Sequence, residues 1–193
     1  ARSLLSEASD DVHGATAMGA YATRLFSGLQ QNYYYGIRRY PYSTDLAKNP
    51  LTFKDIDPAQ ASAHAGIPES SLGGGSADEV HNQGEVWCVT LWDLRASLVA
   101  KHGAAAGNEL ILRLVTDGMK LAPANPNFVQ ARDAILQAEL VYSGGANRNE
   151  LWAAFAKRGL GAGASSPTSN ATAGLVESYD LPDTLSVTPS ALA

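Results

Sequence analysis

The chain has 193 residues, 45% hydrophobic and 17% charged, with a formal net charge of −5. That composition suits one globular domain with a core of ordinary size, and so low a charged fraction is more typical of a secreted enzyme than of a disordered tail. The acidic balance leaves no footprint for nucleic acid, the single cysteine, Cys88, excludes an internal disulfide framework or a CxxC metal site, and no apolar run is long enough to span a bilayer.

No signal peptide is visible, yet Ala1-Arg2-Ser3-Leu4-Leu5 does not read as a natural start, so the chain is expected to begin inside a longer protein. Leu4 to about Leu29 is rich in Ala, Leu and Met without Pro, which predicts a helix over most of that span. From Gln30 to about Gly75 the character changes: Tyr33-Tyr34-Tyr35-Gly36, Tyr40-Pro41-Tyr42, then Pro50, Pro58 and Pro68. Prolines at that frequency forbid long helices, and tyrosines with their polar tips predict a packed, ordered loop.

Gly73-Gly74-Gly75 reads as a hinge, and Ser76 with Glu79 has the spacing of a capping box at a helix start. Val80, Trp87, Leu91, Leu94 and Leu98 then recur on one helical face up to Lys101-His102-Gly103, a basic last turn and a glycine cap. Asn108 to Leu121 repeats the pattern with Leu110, Leu114 and Met119. Asn125-Pro126 predicts a cap and first turn for a helix through Ala131, Ile135 and Leu140. Asn149 to Arg158 predicts a short helix with Leu151, Trp152 and Phe155 inward, closed by Gly159. The tail from about Asp183 is Ser/Thr/Pro-rich, as a linker would be, which sets the expected boundaries at 1–182 for the helical part and 183–193 for the tail.

Four groups of residues invite a chemical reading. The histidines, His13, His64, His81 and His102, form no HExxH, so no complete site of the two-His, one-Glu zinc type is present. Glu7 and Asp11 stand four apart, on one face if helical, and read either as two exposed acids or as a ligand and its supporting acid. His81 lies in the first turn of its helix beside Asp78-Glu79 with Glu85 one turn on; a carboxylate neighbour orients an imidazole for donation or proton transfer, or simply holds it by a local bond. Arg38, in a structured loop, suits a clamp on a peptide carbonyl or carboxylate, or equally a structural ion pair. Cys88, Trp87, Trp92, Trp152 and Phe155 read as core. The glycine run lacks the Lys-Ser/Thr of a phosphate cradle, and Asn170-Ala171-Thr172 is a sequon of the kind that arises by chance.

Longer strings say more. Gly36-Ile-Arg-Arg-Tyr-Pro-Tyr-Ser-Thr-Asp45 with Asn49-Pro50, Glu79-Val-His-Asn-Gln-Gly-Glu-Val-Trp87 with Leu91-Trp-Asp93 and Lys101-His-Gly103, Asp117-Gly-Met-Lys-Leu121 with Ala131-Arg-Asp-Ala-Ile-Leu136, and Glu150-Leu-Trp152 through Arg158-Gly-Leu-Gly161 occur in that order. They resemble four blocks of the M36 fungalysin metallopeptidases, similar to thermolysin in plan. The resemblance implies a mainly α fold, the helical C-terminal half of a secreted zinc endopeptidase whose HExxH lies in an N-terminal half that would be this chain's partner. It implies that His81 hydrogen-bonds the oxyanion, Arg38 binds substrate, Glu7 is the third zinc ligand and Asp11 the acid behind it; Asp78 is the acid expected to support His81. Where the family reads Glu-Gly-Trp-Ser-Asp, this chain has Glu7-Ala-Ser-Asp-Asp11. Zinc is expected in the parent enzyme and none tightly bound by this chain alone, which is expected to be inactive by itself. The face that the missing half covers should be an exposed apolar patch. The alternative is a non-catalytic helical module that binds peptides or proteins.

Overall fold

The computed structural model describes residues 7–27, 32–71 and 74–183. The elements are α1 (Ala20–Ser27), the single turn α2 (Asn32–Tyr35), a 3-10 turn (Phe53–Ile56), α3 (Val80–His102), α4 (Ala104–Leu121), α5 (Phe128–Ser143) and α6 (Arg148–Lys157). Four helices close a ring: α3 packs on α4, α4 on α5, α5 on α6, and α6 back on α3 beside the 3-10 turn. Among the described residues there are isolated β-bridges and no longer strands. The fold is mainly α, as the sequence implied.

α3 is the axis of this arrangement. Val86, Val89, Leu94 and Leu98 are fully buried, while Trp87 and Leu91 are only partly so and Val80 is 71% exposed. The apolar stripe read from the sequence is therefore incomplete, because α4 and α6 cover α3 from two sides and demand apolar residues on both. Glycine makes the closest crossings possible: a Cβ on Gly107 would lie 2.6 Å from the Val99 Cα, and one on Gly118 would lie 2.8 Å from Ile135 Cγ1. α3 ends at His102 with Gly103 at φ +81°, as its last turn predicts.

Three predicted helix starts differ in detail. Of the Leu4–Leu29 span, the described residues 7–19 form turns and bridges, and among the described residues the helix covers Ala20–Ser27; residues 4–6, 28 and 29 lie outside the described residues. Acidic side chains compete with the helix here: Asp10 accepts from the Glu7 N–H at 3.0 Å and Asp11 from the His13 N–H at 2.9 Å. Thr16 meanwhile pairs with Tyr42 through two 2.9 Å backbone bonds. At α3 the cap is Glu79, whose carboxylate accepts from the N–H groups of His81 and Asn82; Ser76 donates instead to Asp78. At α5 the cap is Asn127, in a reciprocal box with Gln130, because Asn125 adopts φ +53° and bonds Ser169 and Asn170.

The Tyr/Pro stretch is packed, as expected, and supplies Tyr40, Tyr42, Leu51, Phe53 and Ile56 to the core. An unanticipated device pins it. Arg158, with no exposed surface, donates to Asp93 on α3, to the carbonyls of Asn49 (2.8 Å) and Leu51 (2.9 Å), and to that of Ser43 (2.8 Å). One guanidinium fork thus ties the loop, α3 and the end of α6 together. Beyond α6 the chain stays bound: Gly161 and Ala162 donate to the carbonyls of Ser178 (2.7 Å) and Asp180 (2.8 Å), and Glu177 accepts from the Lys54 N–H at 2.8 Å. Residues 184–193, most of the expected linker, lie outside the described residues. Among the described residues no helix is long and apolar enough to cross a membrane.

Candidate functional site

The N-terminal turn of α3 meets the 36–40 segment across a cleft of about 430 Å³ lined by Ile37, Arg38, Arg39, Gly74, Glu79, His81, Asn82 and Glu85. His81 is the second residue of α3, as the sequence predicts, and its side chain stands on the exposed rim. Arg38 reaches the same cleft from the loop. Its Nε donates to the Tyr42 hydroxyl at 3.2 Å, and its NH1 makes a long 3.5 Å contact with the His81 carbonyl oxygen.

Local chain geometry explains how Arg38 arrives there. Gly36 has φ +63°, and a Cβ on it would lie 2.0 Å from the Met18 carbonyl oxygen, so only glycine permits the turn and the close approach. The next residue, Ile37, donates its N–H to that carbonyl at 2.8 Å. Tyr42 is a buried, neutral phenol: burial above all, then the Cys88 thiol, holds its pKa well above the ordinary tyrosine range, against the pull of Arg38.

The carboxylates sit differently from the sequence reading. Glu85 is buried and bonds the loop: Oε2 accepts from Arg39 Nε at 3.0 Å and Oε1 from the Tyr40 N–H at 2.9 Å. Burial raises its pKa, and the Tyr40 N–H and Arg39 partly offset that rise. Glu79 spends its carboxylate on backbone N–H groups. Asp78 is exposed, bonds Ser76 and lines a separate hollow with Asp57 and Asn170. Glu7 and Asp11 are both exposed, in successive turns and not on one helical face. The structure thus joins Arg38 and His81 and leaves Glu7, Asp11 and Asp78 outside their cleft. Sequence reasoning missed Arg39 and Tyr42, although both stand in the Gly36–Asp45 string that carries the resemblance.

The matched model for the fungalysin metallopeptidases (M36) covers residues 2–164. The chain belongs to this family. Relatives among the M36 fungalysins' curated members are named extracellular metalloproteinases. The Aspergillus fumigatus protein (strain CEA10) is 44% identical over 142 residues, covering 67% of this chain and 20% of the relative. That of Pyricularia oryzae is 42% identical over 161 residues, covering 76% and 22%, and that of Fusarium vanettenii 38% over 192 residues, covering 90% and 27%. The chain therefore spans about a fifth to a quarter of the length of these relatives.

A fungalysin implies a metal, and the side chains present can be tested for one. Among the described residues no group of three or more His, Cys, Asp or Glu is placed to hold an ion. The described part of this chain does not build a zinc site by itself, since three protein ligands are the catalytic norm.

Proposed function

We propose that this chain is the helical C-terminal part of a secreted zinc-dependent metalloendopeptidase, and that its cleft holds the peptide substrate. The observation that carries the reading is the meeting of Arg38 and His81, 43 residues apart in sequence, at one cleft beside the start of α3. In this reading the exposed imidazole of His81 donates a hydrogen bond to the oxygen that gains charge when the scissile carbonyl is attacked. Such a donor contributes about 3 kcal/mol when its geometry is fixed. Arg38, oriented by Tyr42, presents its remaining guanidinium donors to a substrate carbonyl or carboxylate.

Activation of the attacking water belongs to the zinc, whose HExxH ligands we assign to a partner segment outside this chain. Glu7 is our proposed contribution to that ion, with Asp11 behind it, and Asp78 our proposed support for the His81 region; for these three the support is the sequence correspondence and spacing. The extracellular setting follows the relatives' names, and alone the chain should hold no zinc tightly and hydrolyse nothing. Residues 1–182 would be the peptidase part and 183–193 a linker.

The test joins this chain to the HExxH-bearing segment of its parent and measures bound zinc and peptide hydrolysis. We expect about one zinc per molecule, and a loss of about a hundredfold in kcat for His81→Ala. A joined protein that binds no zinc, or a His81→Ala variant of unchanged turnover, would refute the assignment and favour a non-catalytic binding module.

A further inference from the structure

We propose that Glu85 is the positioning residue of the cleft, fixing Arg38 relative to His81 by gripping the two residues that follow Arg38 with its two carboxylate oxygens. The inference rests on the reading of the cleft as a substrate site.

The 36–40 segment is neither helix nor strand; its backbone is held by the α2 turn, the Gly36–Met18 bridge and a 2.9 Å bond from the Ser70 N–H to the Arg39 carbonyl. One side-chain anchor from α3 reaches it at two points. Glu85 stands one turn after His81, so its carboxylate and the His81 ring share a rigid helical frame. Oε1 takes the Tyr40 backbone N–H at 2.9 Å and Oε2 takes Arg39 Nε at 3.0 Å. Arg39 extends the grip, donating from NH2 to the Asn82 carbonyl at 3.3 Å. Adjacent residues 39 and 40 are thereby tied to the first two turns of α3. Arg38, one peptide unit earlier, is left pointing along the His81 carbonyl. The Glu85 side chain is 1% exposed and that of Arg39 13%, so water competes little for either bond.

Carboxylate chemistry is essential to this grip. A glutamine at 85 keeps the size and one acceptor oxygen for Tyr40, but turns an NH2 donor toward Arg39 Nε, itself a donor. The contact to Arg39 is lost while the fold keeps its packing. A positioning residue adds nothing once the group it positions is gone, whereas a merely structural residue costs the same in any background.

The test uses the complete metalloproteinase containing this chain, with kcat and KM measured on a peptide substrate. Glu85→Gln should lower kcat/KM by about ten- to a hundredfold, the scale set by small misplacements of a substrate-holding group. In an Arg38→Ala background the same substitution should cost less than about twofold. Arg39→Gln, which breaks the contact from its more exposed side, should reproduce both results. By nitrogen NMR of the same complete protein, Arg38 Nε–H should give one slowly exchanging signal in the native protein and an averaged one in Glu85→Gln. Equal losses in both backgrounds, or an Arg38 signal unaffected by Glu85→Gln, overturn the inference. An unchanged His81→Ala enzyme overturns instead the reading of the cleft on which it rests.

Discussion

Replacing Arg158 by methionine removes a side chain of similar length together with every polar contact it makes. Four hydrogen bonds disappear: one to Asp93, and three to the carbonyls of Ser43, Asn49 and Leu51. Breaking one side of a buried ion pair costs about 3–5 kcal/mol, since the remaining charge keeps its desolvation penalty. Here Lys157 still faces Asp93 at 2.6 Å from a one-third exposed position, which places the ion-pair loss near the lower end of that range. The three buried carbonyls lose their donor at about 1 kcal/mol or more each, partly recovered by the apolar methionine and by local relaxation. The expected net loss is about 4–5 kcal/mol, out of the roughly 5–15 kcal/mol that domains possess. With a urea m-value of about 2 kcal/mol per molar, the unfolding midpoint should fall by about 2 M. Equilibrium urea unfolding followed by tryptophan fluorescence measures it. Arg158→Lys should lose about half as much, because an ammonium keeps Asp93 but cannot span three carbonyls. A loss below about 1 kcal/mol for Arg158→Met would mean the loop is held by its apolar residues alone, and the reasoning would be wrong.

Gly84 and Gly107 should respond oppositely to alanine. A Cβ on Gly84 meets nothing within 4 Å, so Gly84→Ala should stabilise α3 by about 1 kcal/mol, whereas at Gly107 the new methyl strikes the Val99 backbone and should cost about 1–3 kcal/mol; thermal unfolding decides both. Burial, followed by the nearby Glu69 charge, pushes the Tyr40 pKa up to about 12 from 10.0. The stability carried by the neutral phenol is therefore complete below pH 10 and lost as pH rises toward 12; Tyr40→Phe should flatten that alkaline slope, and an unchanged slope would clear Tyr40 of any part in it. Glu150 has its pKa lowered, first by the hydrogen bond from Lys101, then by its own backbone N–H and by that cation's charge, against the opposing effect of burial. Its contribution is present above the ordinary glutamate range and lost on acidification, at no more than about 1 kcal/mol for so exposed a pair. Lys101→Met should remove that acid dependence from the urea midpoint between pH 5 and pH 3.

How far the sequence reached can be traced in single residues. It determined the family and the mainly α class, because four ordered strings carry both, and it placed His81 in the first turn of α3 and Gly103 at its end. These are local matters, decided by turn chemistry and helical period within a few residues. It also anticipated a packed Tyr/Pro loop, and there Tyr35, Tyr40 and Tyr42 bury rings that a floppy segment would leave wet. The helix over residues 7–19 was misread because alanine-rich propensity is weak beside Asp10 and Asp11 bonding their own backbone and Thr16 pairing with Tyr42. Only the tertiary structure decided that Glu85 bonds Arg39 and Tyr40, and that Arg158 holds a loop more than 100 residues earlier in the chain. Both are choices of partner for a buried charge. Such a charge must find its partner wherever packing brings one within about 3 Å, and that distance is set by the whole fold.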